Sequence, residues 1–253
     1  MGNSPSSPLE SCLANALTSR ADFSLPKDPF YQLTAVKPYN TAFSITPAAV
    51  TRPRSADEVA AVVKCAADQG LKVQARSGGH SYADFCIGGK DGAVVVDLTH
   101  FQQFSMDTTT WHATIGGGTL LSDVTKRLHD NGGRAMAHGT CPQVSVRSDF
   151  GVRILCLTDY SSLLQVGIGG TFSEYASFHT TQLIPYTGHA TIGGLGPASR
   201  LWGSALDHVL EVEVVLANST ITRASETLNK DIFFVRVPLP LCLVPLCLTI
   251  DRR

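Results

Sequence analysis

The 253-residue sequence is poor in charge. Asp, Glu, Lys and Arg together make up 16% of it, against about 25% in a typical soluble domain. Twenty basic residues against twenty-one acidic ones leave a net charge of −1, with no basic block anywhere. A phosphate backbone is gripped by clustered cations, so nucleic acid is excluded as a partner. The seven cysteines (Cys12, Cys65, Cys86, Cys141, Cys156, Cys242, Cys247) lack CxxC or CxxH spacing, which excludes a zinc site. Their odd number and wide spread also argue against a disulfide framework. The N-terminus MGNSPSSPLESCL lacks the basic start and apolar core of a secretory signal, and localisation stays unassigned. Gly2 followed by Ser6 fits only the loose myristoylation pattern.

An unbroken apolar run of membrane-spanning length is missing too. Phe233 to Ile250 is nearly apolar, but Arg236, Pro238, Pro240 and Pro245 interrupt it. A spanning helix needs about 20 apolar residues with its backbone bonds intact. What the chain has in quantity is hydrophobic residues, at 43%, and 22 glycines in short clusters. The first excludes a disordered chain and the second points to a glycine-lined ligand site.

Residues 1–42 read as a polar leader with a short helical stretch around Cys12 to Leu17, and order is expected to begin near Ala48. Ser55-Ala56-Asp57-Glu58 is a capping box. Val59, Val62, Val63, Ala66 and Ala67 continue it as a helical stripe, and Gly70 is a suitable stop. Strands are expected at Leu71–Ala75, Ala93–Leu98 and His112–Ile115, a helix at Thr119–Asp130, and a hairpin of Val209–Leu216 with Thr220–Arg223. Helices and strands mix without a βα repeat, which makes the fold class α+β. Two stretches break the pattern: Arg147 to Thr187, which has no clear period, and the Pro/Leu/Cys-rich tail, residues 235–253.

Three segments carry chemistry. In Arg76-Ser77-Gly78-Gly79-His80-Ser81-Tyr82, three small residues after a strand let successive amides converge on one spot, a nest for phosphate oxygens, with Arg76 adding positive charge at its edge. The alternative is a plain tight turn, and His80 alone reads equally as a histidine packed beside a loop. His138-Gly139-Thr140-Cys141-Pro142 displays a cysteine on a loop, where a small buried apolar role is the alternative. Gly188-His189-Ala190-Thr191-Ile192-Gly193-Gly194-Leu195-Gly196 again permits close backbone approach to a ligand.

Together these segments resemble the FAD-linked oxidases of the vanillyl-alcohol-oxidase type, in the subgroup of berberine bridge enzyme and the glucooligosaccharide oxidases. The likeness runs from about Pro47 to Asn229 and rests on RSGGHSY and HGTCP in the expected order. It implies a PCMH-type FAD-binding domain of two small α+β subdomains over residues 43–227, with 147–187 as an unmatched insertion. It further implies FAD held bicovalently, His80 bonding the flavin 8α-methyl carbon and Cys141 flavin C6. Arg76, Ser77, Gly78, Gly79, Ser81, Tyr82, Gly139, Thr140, Gly188, His189, Gly193 and Gly194 would complete the cofactor site. An imidazole nitrogen and a thiolate are nucleophiles suited to an electron-poor flavin.

The implied reaction converts a sugar hydroxyl to a lactone, with dioxygen reoxidising the flavin to give peroxide. In the family the substrate floor and a tyrosine base belong to a second domain, which is not expected here beyond Phe234, so no catalytic base is assigned. Both odd stretches are expected to be translated intron or otherwise foreign sequence. The alternatives are an inactive flavin-binding fragment and a membrane-associated interaction protein using Gly2 and the tail. Family members are often secreted; substrate and oligomeric state stay open.

Overall fold

The computed structural model describes residues 7–81, 83–139, 152–155, 158–159 and 194–234. Two sheets and the helices around them make an α+β fold. The first sheet has the order β1-β2-β4-β3, from β1 (Phe23–Ser24), β2 (Ala49–Thr51), β3 (Val73–Arg76) and β4 (Val94–Asp97). Strands β2 and β3 both run parallel to β4, and β1 closes the edge antiparallel to β2. Successive side chains on a strand point to opposite faces, and Val94, Val95 and Val96 are all fully buried. Val94 and Val96 join the main core, while Val95 joins a second cluster with Tyr31, Ala35, Val36, Ile45, Val50 and Ile87.

Helix α2 (Ala56–Ala67) touches β4 of the first sheet and β10 (Val209–Val215) and β11 (Ile221–Ser225) of the second, so its stripe of Val59, Val62, Val63 and Ala66 lies at their junction. The Ser55 hydroxyl accepts the Glu58 amide at 3.2 Å, as the capping box requires. The Glu58 carboxylate turns instead to the amides of Arg54, at 2.6 Å, and Thr18, at 3.1 Å, and to the Thr18 hydroxyl. Burial pushes Glu58 up, but the Thr18 hydroxyl and the two amides outweigh it and hold the carboxyl below the usual range.

Two expectations are corrected here. Residues from 8 onward are no leader: helix α1 (Pro8–Ala16) packs on α2, and Leu9, Leu13, Leu17, Phe23 and Leu25 are buried in the main core. The polar residues between those leucines hid the stripe, because α1 shows the core only a narrow face. A disulfide is also present. Cys12 on α1 bonds Cys65 on α2, with Cα atoms 5.8 Å apart and a sequence separation of 53. Cysteine count and spread carry no information about which helices pack together.

The second sheet is antiparallel, in the order β11-β10-β8-β6-β5. It comprises β5 (Phe104–Asp107), β6 (His112–Ile115), β8 (Val152–Leu155), β10 (Val209–Val215) and β11 (Ile221–Ser225). Its middle strand, β8, comes from the stretch that showed no period. Short strands β7 (Arg134–Ala135) and β9 (Thr158–Asp159) pair separately, and α3 spans Leu121–Asp130. Among the described residues no helix is long and apolar enough to cross a membrane. The tail lies outside them.

Candidate functional site

Strand β3 ends at Arg76 and delivers the first glycine segment. Ser77 donates through its hydroxyl to the Gly117 carbonyl at 2.6 Å, tying the turn to the glycine run that follows β6. Gly79 sits at φ +76°, in the left-handed region that L side chains avoid. Its carbonyl faces the Cys86 Sγ at 3.5 Å. Among the described residues the amides of Gly78 and Gly79 have no acceptor. Two successive amides beside a left-handed glycine, without an acceptor among the described residues, are the donors that an anion-binding loop requires.

Arg76 is not part of that concavity. Its side chain is buried, and its Nε and Nη2 donate to Asp97 Oδ2 at 3.2 and 2.6 Å. Nη2 also donates to the Ala35 carbonyl at 2.8 Å, and Nη1 to that of Val36. The expectation that Arg76 sets positive charge at the loop's edge is corrected. A buried guanidinium must spend its donors on protein partners, and these lie at the end of a π-helical turn, Gln32–Val36. Arg76 anchors the loop rather than facing a ligand.

His80 follows the turn, half-buried, with its ring centroid 5.0 Å from that of Tyr39 and the planes 48° apart. Cys86, the free thiol nearby, is pushed up by burial, so it stays protonated and is a poor nucleophile.

The second and third segments meet. A Cβ on Gly196 would lie 1.8 Å from the His138 carbonyl oxygen and 3.2 Å from Gly139 Cα, so only glycine allows this approach. Gly196 then donates its amide to Ser199 Oγ at 2.9 Å, and the Gly194 carbonyl accepts the Ala205 amide at 3.1 Å. His138 is half-buried, its Nε2 3.1 Å from Thr125 Oγ1 on α3. Burial lowers its pKa, partly offset by the Gly139 carbonyl, and it stays neutral. Ser81 caps the next turn by accepting the Phe85 amide at 3.0 Å. Tyr82, Thr140, Cys141, Gly188, His189 and Gly193 lie outside the described residues.

Sequence reasoning missed Gly116-Gly117-Gly118. A Cβ on Gly118 would lie 1.9 Å from the Leu98 carbonyl oxygen, and the Gly118 amide donates to Phe101 O at 2.8 Å. Three glycines directly after an expected strand were the available signal, and they bring β6 to the first loop.

Residues 47–148 match a family model described as FAD binding domain. The FAD-linked oxidoreductase sorD of Penicillium rubens is 41% identical over 79% of this chain and 34% of its own length. The xylooligosaccharide oxidase of Thermothelomyces thermophilus is 34% identical over 79% of this chain and 32% of its own. The chain thus spans about a third of the curated relatives it matches. Among solved structures, xylooligosaccharide oxidase from Myceliophthora thermophila in complex with xylobiose superposes with TM-score 0.69 and 32% identity, over 91% of this chain and 39% of that one. Glucooligosaccharide oxidase from Acremonium strictum, described with a 6-S-cysteinyl, 8α-N1-histidyl FAD, superposes with TM-score 0.67 and 30% identity, over 91% and 39% of the two chains.

Proposed function

We propose that this chain, which matches an FAD binding domain over residues 47–148 and is similar to FAD-linked oxidases, holds FAD with His80 and Cys141 as two covalent anchors, as part of an oxygen-dependent carbohydrate oxidase. The observation that carries this reading is the Gly78–Gly79 turn, whose two amides have no acceptor among the described residues and are followed at once by His80. The flavin would supply an acceptor for hydride from the sugar carbon that bears the hydroxyl, whose proton leaves separately, and reoxidation by dioxygen to peroxide. The chain's own part is binding and orientation. Gly78 and Gly79 amides donate to pyrophosphate oxygens, Ser77 fixes the turn to Gly117, and Gly196 fits the third segment onto His138. Cys141 follows His138 by three residues in sequence. The oligosaccharide named with two of the relatives supports a sugar as substrate class.

The test is acid precipitation of purified protein. Yellow colour should stay with the pellet; His80→Ala and Cys141→Ala should each leave one bond, and only the double variant should release FAD freely. Complete release from the unaltered chain would overturn the covalent reading, and a folded, colourless protein would overturn flavin binding itself. Gly79→Val should weaken loading, since its φ of +76° is strained for valine. A flavin-holding module without turnover is the second reading. Peroxide above a buffer control from protein supplied with oligosaccharide would favour the oxidase, and none from protein that holds FAD would favour the module.

A further inference from the structure

The segment between the π-helical turn and β2 is gripped from both ends of the first glycine loop. Ahead of the loop, Arg76 donates to the Ala35 and Val36 carbonyls. Behind it, the fully buried Asp84 accepts the amides of Tyr39 and Asn40 through Oδ1, at 3.0 and 3.2 Å. Lys37, at φ +46°, turns the chain between the two grips, its amide bonded to Gln32 O at 2.9 Å. Residues 35–40 are therefore a strap laid across the loop, and they carry one aromatic ring to His80. Tyr39 is 45% exposed, so its ring is not there to fill the core.

We propose that Tyr39 is a positioning residue for His80: the strap holds its ring against the imidazole and limits the rotamers from which His80 can reach a flavin. The inference rests on the reading of His80 as a flavin anchor. The need for such a restraint follows from the loop. A histidine directly after Gly78 and Gly79 inherits backbone freedom from both, and its χ1 has three staggered wells. The bond would replace a C–H of the 8α-methyl and the imidazole N–H by a C–N bond, with two protons released and two electrons left on the flavin for dioxygen to remove as peroxide. It needs reacting atoms about 3–3.5 Å apart and aligned, so every non-productive rotamer lowers the competent fraction and the observed rate with it. A ring whose own backbone is hydrogen-bonded to a buried carboxylate supplies a fixed wall, which a side chain on a loose loop would not.

The experiment follows the single histidyl bond. In a Cys141→Ala background, apoprotein is mixed with FAD and the acid-stable flavin is measured over time, with FAD affinity and the melting midpoint read in parallel. Tyr39→Ala and Tyr39→Leu should slow attachment roughly three- to tenfold, as expected if several rotamers open up. FAD affinity and melting should be unchanged. Tyr39→Phe keeps the ring and should restore the parent rate. Attachment at the parent rate in the alanine and leucine variants would overturn the proposal. So would a phenylalanine variant as slow as alanine, because the ring would then not be the agent. If alanine at this place prevents folding, the leucine variant decides. A parent protein that gains no acid-stable flavin, with His80→Ala no different, would overturn the reading of His80 itself, and the inference with it.

Discussion

The two sheets reach the site by different routes. The first is built from a contiguous stretch, residues 23–97, with its three main strands parallel and valines buried on both faces. The second gathers antiparallel strands from residues 104–225, and its middle strand comes from the stretch without a period. One sheet delivers Ser77 to His80 at the end of β3, the other delivers Gly116–Gly118 at the end of β6, and the Ser77 hydroxyl bonded to the Gly117 carbonyl joins the two. A ligand loop at such a seam depends on both sheets, though only the first is closed by local sequence.

That contrast can be broken from the first sheet's side with the largest effect. Replacing both cysteines of the Cys12–Cys65 pair by serine releases α1 from α2; closing a loop of 53 residues is worth about 4 kcal/mol on the chain-entropy account. Denaturant unfolding should show a loss of that order. Asp97→Asn comes next. It leaves the Arg76 guanidinium buried without its carboxylate, and breaking such a pair from one side costs about 3 kcal/mol. If the loop depends on this anchor, FAD loading should fall with stability, whereas unchanged loading would separate the two.

From the second sheet's side, Ile154→Pro is the direct probe. Ile154 pairs with Ala113 on one neighbour and Val209 on the other. Losing its N–H and adding the ring should cost about 2 kcal/mol, seen as a lower melting midpoint. Full tolerance of the proline would show that β8 is no true middle strand, and would sharpen the difference between the sheets.

The smallest effect is on pH. The Glu58 carboxyl is depressed when folded, so its contribution is complete above the unfolded value near 4.5 and lost as pH falls through the lower folded value. Glu58→Gln should flatten that acid limb of the melting curve by about 1 kcal/mol or less. His138 is also depressed but titrates from its ordinary 6.5; the unfolded chain binds its proton first, so stability falls as pH drops below about 6.5. The two limbs separate in a pH series of melting midpoints.

Much of this arrangement was legible in the sequence because it is local. The Ser55 cap, the stripe of α2, the Val94–Val96 strand and the glycine turn before His80 are set by neighbours within a few residues. What escaped depends on contacts across the chain. Nothing near Cys12 identifies Cys65 as its partner. Arg76 beside a glycine turn reads as a phosphate ligand until Asp97 and the carbonyls of residues 35 and 36 are seen to claim it. The stretch before Ala48 reads as polar because its apolar residues serve two clusters on opposite faces of one sheet. At Gly118 and Gly196 the need for glycine comes from carbonyls at positions 98 and 138, which no local pattern records.

The Arg76 clamp also sets how finely the molecule can be divided. A fusion partner or shortened version starting at Pro47 would retain every residue of the glycine loop and all of β2, β3 and β4. It would nevertheless strand the guanidinium beside Asp97 with two of its acceptors deleted, remove the Tyr39 and Asn40 amides from Asp84, and expose Val50 and Val95 where Tyr31, Ala35 and Val36 had covered them. The smallest transplantable unit is therefore longer than the stretch that names the cofactor, and grafting the loop into another scaffold means carrying its strap along.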